Sequence, residues 1–152
     1  MTTRAEVVME VDASADEIYR LLADWDGICA WAPKALIQSC RLEGDVRHLI
    51  TGRGRNVAEQ LELADPITRE LSFSIVGPAP GGIEDYFASV LVEDLGGDRA
   101  RISWVGRMTL PEGADAARVT AGFEASYRTL IESAAIAARG EKPDARASTD
   151  PA

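Results

Sequence analysis

Histidine and cysteine, the residues that most often ligate metals or activate nucleophiles, are scarce in this chain. There is one histidine, His48, and there are two cysteines, Cys29 and Cys40, in 152 residues. The cysteines form no CxxC pair and are too few for a disulfide framework, so free thiols, buried as small hydrophobes, are expected. One His with two Cys also argues against a structural zinc site, and neither metal nor cofactor is expected. Lysine is rarer still for its type: of 16 basic residues only Lys34 and Lys142 are lysines. Set against 25 acidic residues, they leave a formal charge of −9, which repels phosphate backbones and disfavours nucleic acid and anionic membranes as partners. Long apolar runs are missing too. None approaches the roughly 20 residues that span a bilayer, and Met1-Thr2-Thr3-Arg4 opens no signal-peptide apolar region. A cytoplasmic protein without integral membrane association is the expectation.

What is present is a hydrophobic content of 46%, enough for one domain with a substantial core. Residues 4–11 alternate and are rich in β-branched types, which predicts a first strand. Ser14-Ala15-Asp16-Glu17 then fits a capping box, with Ile18, Leu21 and Leu22 following at helical spacing until Trp25-Asp26-Gly27. A second short helix or turn carries Ile28 to Trp31 and is ended by Pro33. From Ile37 to Met108 the pattern is that of strands: Ile37–Glu43, Val46–Gly52, Asn56–Leu63, Leu71–Gly77, Asp85–Glu93 and Arg101–Leu110. Short Gly- and Asp-rich turns separate most of them, so an antiparallel meander is predicted; parallel crossovers need a dozen or more residues. Residues 114–139 hold no Pro and a single Gly, and Val119, Phe123, Tyr127, Leu130, Ala134 and Ala137 form one apolar stripe of a long helix. One domain over 1–140 and a disordered tail over 141–152 are expected. A sheet of about seven strands must curl around that helix to bury both apolar faces, leaving a cavity between them.

This order, with the residues that punctuate it, resembles the SRPBCC superfamily, the START-like helix-grip fold, and within it the polyketide cyclase/dehydrase family. The residues that carry the resemblance are Ala13 to Tyr19 opening the first helix, Leu22-Ala23-Asp24-Trp25 ending it, and Trp31-Ala32-Pro33. Val57 to Leu61 with Asp65-Pro66, Gly77-Pro78 ahead of Asp85-Tyr86, Leu95-Gly96-Gly97 before Ile102-Ser103-Trp104, and Phe123 and Tyr127 complete the set. It covers roughly residues 4–138. It implies an α+β helix-grip fold: a curved antiparallel sheet around a long C-terminal helix, two short helices after the first strand, and a cavity for a hydrophobic ligand.

Strand alternation assigns the lining. Val57, Glu59, Leu61 and Leu63 share one face, whose apolar company places Glu59 toward the cavity. Phe73 and Ile75, Tyr86 and Val90, and Trp104 face inward on the following strands, while Phe123 and Tyr127 face in from the helix. Trp31 is a further candidate to stack on a ligand. A buried carboxylate needs a partner. The hairpin at residues 52–55 brings Arg47 opposite 59 or 60, so Arg47 is expected to pair with Glu59 if it, rather than His48, faces in. Glu59 then serves as an acid or base, with Arg47 and Tyr86 orienting, or as an ion pair that fixes strand register. Gly77 to Gly82 is expected to form a loop at the cavity mouth that gates it.

Three functions follow as expectations. The first is a carrier or binding protein for a lipid, polyketide, terpenoid or aromatic molecule. The second is a cyclase or dehydratase using Glu59, Arg47 and Tyr86. The third is an interaction domain presenting outward Phe87 and Leu91, and a monomer or homodimer is compatible with each.

Overall fold

The computed structural model describes residues 2–140. Seven strands run in the order β1-β7-β6-β5-β4-β3-β2, all neighbours antiparallel. They are β1 (Thr2–Val11), β2 (Ile37–Glu43), β3 (Val46–Thr51), β4 (Asn56–Asp65), β5 (Glu70–Val76), β6 (Glu84–Gly96) and β7 (Arg99–Thr109). Helix α1 (Ala15–Ala23) follows β1, and helix α2 (Ala116–Ala138) follows β7. The meander from β2 to β7 matches the turn spacing, and only β1 breaks it by pairing with β7 at the far edge. The predicted tail over 141–152 lies outside the described residues.

Two local details sharpen the sequence expectation. The second short helix is a single 3-10 turn, Ile28–Ala30, because Gly27 supplies no side-chain cap and Pro33 stops the chain soon after. The capping box of α1 forms by half. Ser14 Oγ accepts from the Glu17 amide at 3.4 Å, while the Glu17 carboxylate pairs with Arg20 one turn on.

α2 lies against β1 and α1. Its buried face is Tyr127, Ile131, Ser133, Ala134 and Ala135; the small residues allow close approach. Asp115 caps its first turn by accepting from the Arg118 amide at 3.2 Å. Beneath it the inward strand positions alternate as the sequence predicts: Ala88, Val90 and Val92 on β6, Ile102, Trp104 and Met108 on β7, all buried. α1 covers one end of the sheet, where the Tyr19 hydroxyl donates to the Glu70 carbonyl at 3.0 Å. The opposite end is left open between the hairpins and α2.

Candidate ligand-binding cavity

That open end holds a cavity of about 510 Å³. Its walls come from β3, β4, β5, β6, β7, α2 and the segments leading into β2 and β6, and they are mostly apolar. Aromatic rings dominate the interior. Of three Trp, three Tyr and three Phe, six form one connected cluster. Trp104 stacks on Tyr127 at 5.3 Å and Phe123 on Tyr86 at 5.4 Å, while Phe73 meets Trp25 at 5.3 Å.

Two polar constellations interrupt this surface. The first is Arg47 with Glu59. These residues are directly opposed in the β3–β4 ladder, so the pair is set by strand register. Arg47 Nε and Nη2 lie 2.9 and 2.8 Å from the same Glu59 oxygen, Oε1. Arg47 Nη1 donates to the Trp25 carbonyl at 3.2 Å, and the guanidinium carbon sits 3.5 Å over the Trp25 ring. The arginine side chain is 6% exposed and the glutamate 13%. Glu59 Oε2 has no hydrogen-bond partner among the described residues and belongs to a cavity-lining side chain. His48 lies on the other face of β3, 3.0 Å from Glu43.

The second constellation joins the sheet to α2. The hydroxyls of Tyr86 and Tyr127 are 2.5 Å apart. Gly106 on β7 makes the meeting possible: a Cβ there would fall 2.0 Å from the Tyr127 hydroxyl and 3.3 Å from the Tyr86 ring. Burial, reinforced by Tyr127 and by the charge of Glu59, pushes the Tyr86 hydroxyl well above its ordinary pKa. Burial likewise pushes Tyr127 up to about 12, against a lowering contribution from its bond to Tyr86. Both phenols therefore keep their protons at neutral pH. One proton is used between them, and one remains available for a third group.

Of the residues expected to form the site, Glu59, Arg47 and Tyr86 line the cavity together with Phe73, Ile75, Trp104, Phe123 and Tyr127. Trp31, Leu61 and Val90 stand outside it. Trp31 is buried where its carbonyl accepts from Ser133. Val90, opposite Leu71, lies at the end of the sheet that α1 covers. Leu61 is half-buried beside a register shift in β4 that breaks the simple alternation, and Leu63 beyond it is exposed. Cys29 and Cys40 are half-buried free thiols rather than fully buried ones. Trp25, Thr51, Arg53 and Ser126 belong to the site or its support and were not anticipated. The segment from Gly77 to Gly82 lies beside the cavity, with Ala79 and Pro80 in its wall. A second, adjoining hollow of about 460 Å³ shares Ile75, Ala79, Ile83 and Tyr86 and carries Glu84 and Asp85. Among the described residues no three His, Cys, Asp or Glu side chains are grouped as a metal site, and no helix is long and apolar enough to cross a membrane.

The model of the family described as polyketide cyclase/dehydrase and lipid transport matches residues 2–138. The chain belongs to this family. The expected helix-grip architecture, an α+β fold with the sheet curved around a long C-terminal helix, is the one observed. Solved structures share it. The protein XoxI from Bacillus cereus superposes with a TM-score of 0.79 at 22% identity, over 89% of this chain and 94% of that one. A protein from Thermobifida fusca gives 0.67 at 20% identity, over 86% and 92%. The di-domain aromatase/cyclase BexL of the BE-7585A biosynthetic pathway gives 0.71 at 21% identity, over 97% of this chain and 48% of that one. At these identities the likeness is one of fold. No curated protein matches the sequence.

Proposed function

We propose that this member of the polyketide cyclase/dehydrase and lipid transport family binds an apolar small molecule in the cavity under α2. The observation that carries the reading is the pairing of an aromatic, mostly apolar hollow of about 510 Å³ with a few converging polar groups, the form that small-molecule sites take. A solid core would have filled this space, because side chains in folded interiors pack to crystal-like density. The test is titration with Nile red, a neutral apolar fluorophore, alongside native mass spectrometry of the purified protein. Saturable binding at one site per chain, or a co-purified small molecule, is expected; no binding and an unliganded mass would overturn the reading.

A second reading, catalysis, has a specific observation behind it. Glu59 presents one oxygen without a protein partner in the same cavity as a tyrosine pair holding a spare proton. Glu59 would take a proton from carbon next to a ligand carbonyl while a tyrosine hydroxyl donates a hydrogen bond to the developing enolate oxygen. Exchange of the methyl hydrogens of 2-acetonaphthone in D2O tests it directly. Exchange that is faster with wild type than with Glu59→Gln is expected of an enzyme; equal rates favour the carrier.

A further inference from the structure

The charges around the cavity do not follow the charge of the protein. The chain as a whole carries −9, yet among the described residues only three charged ones line the cavity: Arg47, Glu59 and Arg53. Arg47 and Glu59 compensate one another. Arg53 does not share in that pair. It sits at the tip of the β3–β4 hairpin, is exposed, and has no carboxylate within ion-pair distance among the described residues. The lining thus has one uncompensated positive charge, and it stands at the rim.

The hairpin that carries Arg53 is held in place. The Gly52 amide donates to the Leu36 carbonyl at 2.8 Å, and a Cβ at Gly52 would lie 1.8 Å from the Ala35 carbonyl oxygen. Gln38 donates to the Gly52 carbonyl at 3.0 Å. Thr51, which also lines the cavity, accepts from the Arg55 amide through its hydroxyl oxygen at 3.2 Å and keeps its own hydrogen to donate. A guanidinium fork and a hydroxyl donor two residues apart on a braced turn suit a carboxylate. The adjoining hollow has the opposite character, since Glu84 and Asp85 would repel an anion there.

We propose that the ligand is an amphipathic carboxylic acid: its apolar body fills the aromatic cavity, and its carboxylate rests at the rim on Arg53 and Thr51. The proposal rests on the binding reading above and adds the ligand's charge and orientation. The carboxylate belongs either to an acyl chain or to an aromatic acid, and two pairs of probes separate these sources: laurate with dodecanol, and 2-naphthoate with 2-naphthol. In wild type the acid of the fitting pair is expected to bind about fivefold more tightly than its alcohol at low salt, the size of an exposed charge-assisted contact. Arg53→Gln abolishes the preference, acid and alcohol then binding alike to the same variant, and Thr51→Val reduces it. Arg55→Gln, a neighbouring arginine outside the lining, retains it. Added salt weakens only the acid. Equal binding of acid and alcohol by wild type, or a preference that survives Arg53→Gln, overturns the carboxylate while leaving the cavity reading intact. Failure of all four probes while Nile red still binds overturns the amphipathic acid alone; failure of Nile red as well, with an unliganded mass, overturns both.

Discussion

Arg47 sits over Trp25, its guanidinium carbon 3.5 Å from the ring centroid, and Glu59 meets this same guanidinium. The arginine is thus fixed from two sides, by a ring and by the Trp25 carbonyl, before the carboxylate arrives. Removing it strands a mostly buried carboxylate. Arg47→Met should cost about 3 kcal/mol, toward the lower end for a broken buried pair because Glu59 retains access to the cavity. Arg47→Lys should recover only part, since an ammonium keeps the charge but neither the fork nor the stack. Glu59→Gln keeps an acceptor for Arg47 and should cost about 1 kcal/mol. Urea midpoints for the three variants check the order. A larger loss for Glu59→Gln than for Arg47→Met would contradict it. Ligand affinity or turnover should change strongly in Glu59→Gln if the free oxygen faces the ligand.

The tyrosine pair sets an alkaline limit on stability. In the unfolded chain a tyrosine loses its proton near pH 10, whereas burial holds Tyr127 to about 12 and Tyr86 well above its ordinary value. Below pH 10 both states are protonated and stability is unaffected. Above it the unfolded chain releases protons that the folded chain retains, so stability falls as pH rises from about 10 to 12. For Tyr127 alone the loss is roughly 2–3 kcal/mol across that window. Unfolding in urea at about pH 9 and pH 11 reads the difference, and Tyr127→Phe should reduce it, the remainder belonging to Tyr86 and to Tyr19, whose hydroxyl burial also raises. A flat profile in wild type would count against buried, protonated phenols.

Much of this was legible in the sequence where a single period decides the matter. Alternation placed Phe73, Tyr86 and Trp104 on the inner face, and the short hairpin brought residue 47 opposite 59 or 60, of which the ladder takes 59. What alternation cannot report is which part of an inner face stays uncovered. Val90 faces inward like Tyr86 on the same strand, but α1 closes its end of the sheet, a long-range packing event with no local signature. Leu63 was turned out by the register shift that follows Leu61 in β4, which needs the partner strand to be seen; Leu61 itself still stands opposite Phe73. Trp25 reads as the end of a helix, and its stacking on Arg47 joins residues 22 apart in sequence. Arg53 reads as a turn residue, which it is; its place at the rim follows from how the hairpin curls toward α2.

Gly122 on α2 separates ligand binding from core packing. It lines the cavity, and an added Cβ would meet no atom within 4 Å. Gly122→Ala should therefore raise stability by about 0.5–1 kcal/mol, the ordinary gain from replacing glycine inside a helix. Gly122→Leu should keep that gain and, by occupying the hollow, weaken Nile red binding about tenfold or more. Thermal unfolding and dye titration on the same samples decide. Loss of stability together with binding would mean that the space is already filled.

Gly106 has the opposite constraint. Its Cα passes beneath the Tyr127 hydroxyl, and the missing Cβ is what admits that oxygen, which would otherwise be 2.0 Å away. Gly106→Ala should destabilise by about 1–3 kcal/mol, the range for forcing extra volume into a packed site. The cost should be paired with the hydroxyl rather than with the ring, because the ring carbon bearing it is already 3.2 Å from the same point, a much milder contact. In a Tyr127→Phe background the offending oxygen is gone, so the added methyl should cost clearly less than in wild type. A double-mutant cycle measures this as a coupling on the order of 1 kcal/mol between two residues on different elements. Additive effects would show that the glycine serves the β-strand alone and that the tyrosine pair does not depend on it.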